Sequence, residues 1–584
     1  MSSSPTPAPS TRLDAASWTS RGHGVTIHDD AWTDQAERLL TSDLLALLAD
    51  LHRTLEPRRR ELLGTRTERQ EAFDAGELPG YLPKDEHPDA HGDWSVGELP
   101  DDLLQRRVEI TGPVNDPKMV INMLSRNDQG DRADAAMLDF EDSMKPTWPN
   151  LLDGIDNVRA AAAGTLTYTK PATNGQPEQH YALDPDDMPL LMVRIRGLHL
   201  DETNVRVDGE PVSGALFDLA CVAYHSAQTL IEAHKTPKYY VPKVEHYLEA
   251  RWFNDLFLHT QDALDIPRGT FKATFLIEAL TAAFQTREIL YEFREHAAGL
   301  NGGRWDKIFS DIKVLREHED RVLADRNWIN IQRPWMEMYV KQLIKVCHEH
   351  GAFGMGGMAP HTPGRTEEVR KKQVAGVVED REFEASIGHD GCWVSHPYFI
   401  GPALRPFEEK LTEKKATHQL DVIPDIPDRP DLLPKGNVGP KTLDGLRVNV
   451  RVSIGYMKGW NDDLGCVAWD NRMEDLATFE ISRAQTWQWL HHGVKLDDGQ
   501  EVTEELVARI FDEELRTIEK EVEEFFEGQP DEVIEEQVRR FRQAREDAER
   551  IFTESTMRPF LACASELYGD PDHREALLRT DSCT

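Results

Sequence analysis

The chain has 584 residues, 39% hydrophobic and 29% charged, with 67 basic against 104 acidic side chains and a net charge of −37. That length exceeds one ordinary core, so two to four packed units are expected. The acidic balance excludes a non-specific nucleic-acid partner, whose phosphates it would repel, and no apolar run reaches the ~18 residues of a membrane helix.

Residues 1–32 open "MSSSPTPAPSTRLDAAS", polar and Pro/Ser-rich with no apolar core of a signal peptide, and read as a disordered tail. From about 33 to 75 apolar residues recur at helical spacing, an amphipathic helical cap within a first unit spanning 33–116. A polar, Pro/Gly-punctuated stretch follows and ends in "VEITGPV".

Over 117–408 the texture becomes short β-like runs separated by helical segments. The runs are "DAAMLDFEDS", "PLLMVRIRG", "KYYVPKVE", "FKATFLIEAL", "KIFSDIKVL", "GAFGMGGMAP" and "GCWVSHP", with helices such as "TAAFQTREILYEFREHAAGL" between them. Strands alternating with helices predict parallel βα units, and seven or eight of them over about 290 residues fit a (β/α)8 TIM barrel of the α/β class. No GxGxxG or P-loop pattern follows any run, which weakens a dinucleotide fold. Residues 409–445, with "LDVIPDIPDRPDLLPKGNVGP", predict an extended connector, and 446–584 a mostly helical domain whose charge runs are solvated helix faces. The six cysteines, Cys221, Cys347, Cys392, Cys466, Cys563 and Cys583, include no CxxC pair. Neither a zinc cluster nor a disulfide framework is expected, and the predicted compartment is reducing and cytoplasmic.

In a barrel, polar groups at the C-terminal ends of strands converge on one mouth. The candidates are Asp139, Glu141, Asp142, Arg194, Arg196, Lys243, Glu278, Asp306 and His396. Each alone also reads as a loop charge. Glu278 and Asp306 lie 28 residues apart, about one βα unit, so they would end adjacent strands within reach of one ion. Two carboxylates with few other ligands suit Mg²⁺, which keeps waters or takes substrate oxygens elsewhere. Gly302 and Gly303, just before Arg304, Trp305 and Asp306, read either as a helix–strand turn or as main chain closing around a small anion beside the metal. Arg194 could stabilise an enolate oxygen. Asp475, in "MEDLATFEISR", is either a carboxylate favouring a helix start or a base from outside the barrel.

The ordered series "RRVEITGPV", "MLDFEDSMKPTW", "VRIRGLHLDE", "ATFLIEAL", "GLNGGRWDKIFS", "GAFGMGGMAP", "GHDGCWVSHP" and "MEDLATFEISRAQTWQW" closely resembles the malate synthase family, A form, from about residue 35 to the C-terminal helices. The resemblance implies a TIM barrel with an N-terminal helical clasp and a C-terminal helical domain over the barrel mouth. It also implies condensation of acetyl-CoA with glyoxylate, with Mg²⁺ as cofactor. By similarity Arg194 is the catalytic arginine, Glu278 and Asp306 the metal ligands and Asp475 the base. Gly303, Arg304 and Trp305 would hold glyoxylate, and Pro397 would line the acyl-CoA entrance. Cys392 and Ser395 stand where the family often has Thr and Ala, and the N-terminal tail has no counterpart. A malyl-CoA or citramalyl-CoA lyase shares the barrel and metal carboxylates but lacks the domain carrying "MEDLATFEISR"; a silent scaffold on this fold would not keep Arg194, Glu278, Asp306 and Asp475 together.

Overall fold

The computed structural model describes residues 18–172 and 177–561. The predicted tail falls partly outside them, and its described end is not disordered. Strands β1 (Trp18–Gly22) and β2 (Val25–His28) form a hairpin in which Val25 and Ile27 are fully buried. Two apolar residues in alternation were too short a pattern to stand out from a polar tail.

Helices α1 (Asp34–Leu39) and α2 (Ser42–Asp74) follow. Thr41 caps α2 by accepting from the Leu44 amide, and Leu44, Leu48, Leu51, Leu55 and Leu62 make its buried stripe. Helical structure in the predicted 33–116 unit ends there, apart from short 3-10 turns at Pro88–His91 and Asp101–Leu103. Its last residues already belong to the barrel, whose first strand, β3 (Val108–Pro113), is the "VEITGP" run.

The chain continues through α3 (Pro117–Met123), β4 (Ala135–Asp139) and α4 (Trp148–Ala162), then a small hairpin of β5 (Thr167–Lys170) and β6 (Gln179–Ala182). After β7 (Leu190–Arg194) a second hairpin, β8 (Asp201–Val207) and β9 (Glu210–Ser213), pairs with β2. The resulting four-stranded antiparallel sheet ties the N-terminus to the barrel wall. Next come α5 (Gly214–Glu232), β10 (Lys238–Val241), α6 (Tyr247–Ala263), β11 (Lys272–Leu276), α7 (Leu280–Ala283), α8 (Thr286–Glu292), β12 (Ala297–Asn301), α9 (Trp305–Val314), α10 (Pro334–Glu349), β13 (Phe353–Ala359), α11 (Glu367–Ile387), β14 (Gly391–Val394) and α12 (Ile400–Lys414). The strands β3, β4, β7 and β10 to β14 close into a parallel barrel in that cyclic order. Arg66 on α2 grips Glu249 on α6 at 2.7 Å through two bonds, and Trp252 donates to the Leu55 carbonyl, so α2 clasps the barrel's outer helices.

Two readings of this stretch change. "KIFSDIKVL" is helix α9, and the strand is the preceding "AAGLN", which reads in sequence as the tail of a helix. All of α9 is buried, including an internal Lys307–Asp311 ion pair, so it lacks the polar face that marks a helix. In β12 Gly299 must be small, because a Cβ there would come 2.3 Å from the Phe353 carbonyl oxygen of β13.

The connector spans 415–442, shorter at both ends than predicted. It leads into α13 (Leu443–Asn461), the hairpin β15 (Val467–Trp469) and β16 (Arg472–Glu474), α14 (Leu476–His491), α15 (Glu504–Phe525) and α16 (Asp531–Phe552). This domain has its own core, including Ile454, Trp460, Phe479, Trp489, Phe511 and Phe552, and packs α14 against α9.

Candidate active site

The barrel mouth and the C-terminal domain enclose a cavity of about 560 Å³. Arg194, Glu278, Gly303, Arg304, Trp305, Asp306, Pro397 and Asp475 all line it, so the residues singled out from sequence meet in one place.

Asp139 and Arg194 are register partners on β4 and β7. The pairing lets Asp139 accept from Nε and Nη2 of Arg194 at 2.7 and 2.6 Å, a two-bond fork. Asp139 also accepts from the Glu141 and Ser143 amides. Burial opposes its charge, but the Arg194 guanidinium and these donors hold its pKa below the ordinary value. Nη1 of Arg194 is left facing Glu141 at 3.4 Å and Asp142 at 3.8 Å, toward the cavity acids.

Lys243 is the second cation. Its Nζ stands 2.5 Å from Glu141, 2.7 Å from Asp142 and 3.3 Å from Asp306, and its amide donates to Glu278 at 2.8 Å. Burial works against this ammonium, but Asp142, Asp306 and Glu141 outweigh it and raise its pKa well above normal. Lys243 reaches this position with φ +54°, the left-handed region a non-glycine residue rarely adopts. The sequence marks it only as a strand-end charge.

Around these two cations stand the carboxyl groups of Asp139, Glu141, Asp142, Glu278, Asp306 and Asp475. The surplus of negative charge shows at Glu278 and Asp306. Burial pushes Glu278 upward against the pull of Lys243, and burial followed by the nearby Glu278 pushes Asp306 well above the usual carboxylate range. Oδ1 of Asp306 is buried and makes no hydrogen bond, as is Oδ1 of Asp142. A divalent cation would relieve this repulsion, so Glu278 and Asp306, whose Oδ1 has only the Lys243 ammonium at 3.3 Å, fit one. Among the described residues no group of three or more His, Cys, Asp or Glu side chains forms a metal cage. Two carboxylates make a sparse donor set, of the kind whose other positions go to water and substrate.

Gly303 lies against the Glu278 carboxylate: a Cβ there would sit 3.3 Å from Oε2. Tyr339, which sequence reasoning missed, underpins both segments by hydrogen bonding to the Ile277 carbonyl and, at 3.4 Å, to that of Gly303. Nothing in "WMEMYV" distinguishes it from a core aromatic.

Asp475 is the N-cap of α14 and accepts from the Thr478 amide at 3.3 Å. The Leu476 amide donates to the Asp142 carbonyl, and the Met473 amide to Pro360, so the barrel loops fix the hairpin that carries it. Burial, then the facing Asp142 charge, push its carboxyl up to about 7. That is where a general base works best near neutrality.

Two strand-end candidates serve the fold instead. Arg196 is buried in bonds to Asp218 and Glu202, outside the cavity lining. His396 lines the cavity but caps the next turn by accepting from the Tyr398 amide. Pro397 follows it, with its carbonyl accepting from Asn127 across the cavity rim.

Comparison with known proteins gives one consistent result. Residues 27–87 match the family described as malate synthase, N-terminal domain, 190–427 the malate synthase TIM barrel domain, and 440–567 the malate synthase C-terminal family. Malate synthase A of Escherichia coli (strain K12) is 40% identical over 502 residues, 85% of this chain and 91% of that protein. Malate synthase of Myxococcus xanthus is 43% identical, covering 86% and 90%. The glyoxysomal malate synthase of Candida tropicalis is 41% identical, covering 83% and 87%.

Proposed function

The chain belongs to the malate synthase family, and from that premise we propose how its own residues divide the reaction. The activity is that of an acyltransferase: acetyl-CoA condenses with glyoxylate and the thioester is hydrolysed, giving malate and CoA.

Asp475 removes a proton from the acetyl methyl group. Nη1 of Arg194 stabilises the enolate oxygen, with Asp139 holding the guanidinium at a fixed angle. The main chain from Gly303 to Asp306 holds the glyoxylate carboxylate. Glu278 and Asp306 would hold Mg²⁺, which when bound supplies Lewis-acid polarisation of the aldehyde. The enolate carbon bonds to the aldehyde carbon, and water then cleaves the malyl thioester. Lys243 holds Asp142 and Asp306 in place through its ammonium group. Pro397 borders the side by which acyl-CoA enters.

The observation that carries this reading is Asp475, a carboxyl titrating near 7 that a separate domain inserts beside Arg194. Asp475→Asn keeps the shape and the cap but cannot take a proton. The variant should melt like the parent below pH 5 and bind glyoxylate, yet lose malate formation. It should also lose exchange of the acetyl methyl protons in the presence of an unreactive glyoxylate analogue. Malate formation at a comparable rate by the folded variant would remove Asp475 as the base.

A further inference from the structure

An outer helix of a barrel turns an apolar stripe inward. Helix α11 instead buries Gln373, Arg381 and Glu384 alongside Val377 and Ala385. Arg381 donates to the Gly357 carbonyl at 2.9 Å and Glu384 lies against Gly356, so both grip the end of β13. Gln373, nearer the helix start, reaches beyond the barrel. Its Oε1 accepts from the Gly364 amide at 2.9 Å, and its Nε2 donates to the Thr362 carbonyl at 2.9 Å and the Asn471 carbonyl at 3.3 Å. Both amide hydrogens and the oxygen are thereby used. Thr362 and Gly364 belong to the loop after β13, whereas Asn471 is in the turn of the β15–β16 hairpin. One uncharged, buried side chain thus joins the two domains.

The junction it serves is made of main chain. The Thr362 amide donates to the same Asn471 carbonyl at 3.0 Å, His361 pairs with Arg472 in an antiparallel bridge, and the Met473 amide donates to the Pro360 carbonyl at 2.7 Å. Asp470 and Asn471, at φ +47° and +62°, are the left-handed pair that closes a two-residue hairpin. From Asn471 the chain runs through Arg472, Met473 and Glu474 directly to Asp475. Pro363 of the loop and Met473 of the hairpin line the substrate cavity, one layer in from Gln373.

We propose that Gln373 is a positioning residue for Asp475: it ties the hairpin that carries the base to the loop after β13, and so sets where the base stands over the barrel mouth. The proposal rests on Asp475 being the base. Base and metal carboxylates lie on different domains, so their spacing is only as good as the joint between them. At the Asp475 end, the Leu476 amide is held by the Asp142 carbonyl. A hairpin held at one end can pivot, and the loop bonded to its turn could swing with it. Gln373 pins loop and turn together to a rigid helix and removes the pivot. An error of about an ångström in such spacing costs up to about a hundredfold in rate.

Gln373→Met keeps the length and removes the three bonds. Arg370→Met is the control: Arg370 holds the same loop through the Gly364 and Arg365 carbonyls, at 2.9 and 3.1 Å, and among the described residues makes no bond to the hairpin. Three quantities are measured in each: kcat for malate formation, glyoxylate affinity by calorimetric titration with Mg²⁺, and exchange of acetyl methyl protons beside an unreactive glyoxylate analogue. In Gln373→Met, kcat and exchange should fall together about tenfold, while glyoxylate affinity stays within about twofold of the parent. Arg370→Met should keep all three within about twofold. If Gln373→Met does not fold, Gln373→Glu takes its place; its carboxylate accepts from Gly364 but cannot donate to either carbonyl, and should give the same split. Parent kcat in the folded variant overturns the proposal, as does an equal loss in Arg370→Met or a parallel loss of glyoxylate affinity. Failure of the underlying reading shows separately, as malate formation by Asp475→Asn.

Discussion

Arg194 and Asp475 carry opposite electrostatic burdens, and each burden has a measurable consequence. Arg194 spends Nε and Nη2 on Asp139 and faces the cavity with Nη1. A lysine has one nitrogen and cannot both occupy the fork and reach the substrate. Arg194→Lys should therefore lower kcat about a hundredfold, the ~3 kcal/mol typical of one well-placed stabilising donor, while glyoxylate affinity measured by titration falls far less. Near-parent turnover would reduce Arg194 to a structural partner of Asp139. Asp475 titrates near 7, so kcat/KM should fall tenfold per pH unit below 7 as the base becomes protonated. Stability moves the other way. Between roughly pH 4, the unfolded carboxyl's value, and 7, folded Asp475 keeps a proton that the unfolded chain has lost, so its contribution weakens as pH rises. Asn has no proton to lose. In metal-free buffer Asp475→Asn should match the parent at pH 4 and exceed its stability at pH 8 by at least about 1 kcal/mol, read from urea melts. A variant less stable at pH 8 would show that the carboxylate is ionised without strain. That these two residues meet at one cavity was legible in sequence, because each lies inside a long motif. Lys243 and Tyr339 were not legible in their roles, since one acts through an unusual φ and the other through a hydrogen bond to main chain.

At the scale of elements, the placement of Asp475 depends on a hairpin fitted to the barrel loop. Gly465 leads into β15, and a Cβ there would come 2.3 Å from the Met144 carbonyl carbon and 2.4 Å from the Lys145 nitrogen. These are backbone atoms, which cannot swing aside as a side chain would. Gly465→Val should push the β15–β16 hairpin and Asp475 off the mouth, lowering kcat at least about tenfold, since misplacement by an ångström is costly. The melting temperature should fall only modestly, because the domain core around Phe479 and Trp489 is untouched. Gly376→Ala in α11, where a Cβ meets nothing within 4 Å, is the control and should leave activity unchanged while adding up to about 1 kcal/mol of stability. Equal losses in melting temperature and kcat would mean that the glycine serves folding in general. Element type was readable where periodicity was strong, as in α15 and α16. It failed at α9 and β12, where a helix buried on every side and a strand of small residues exchange their usual signatures. The β1–β2 hairpin was missed because its apolar alternation is two residues long, and its pairing with β8, about 180 residues away, leaves no local trace.

For the whole molecule, the barrel follows from alternation of strand and helix, whereas the closing of its mouth by the last domain was read from motif order and not from physical pattern. Charge is the property that composition alone fixes. With 104 acids against 67 bases, acids outnumber bases by 37. The helices α15 and α16 are laced with exposed pairs such as Arg539–Glu536 and Arg542–Glu519, at 2.8 and 2.7 Å. Exposed pairs of this kind contribute about 0–1 kcal/mol each. Against them stands repulsion among a net 37 negative charges spread over the whole surface. Salt distinguishes the two, because the Debye length falls from about 30 Å at 0.01 M to about 3 Å at 1 M. Contacts shorter than 3 Å are screened weakly, and repulsion across 10 Å or more is screened strongly. Raising KCl from 0.05 to 0.5 M should therefore raise Tm by several degrees, of the order that 1–2 kcal/mol gives in a protein of this size. Sodium and choline chlorides should act alike if screening is the cause. A Tm that falls with salt would mean that the surface ion pairs, and not the net negative charge, set the electrostatic balance of the fold.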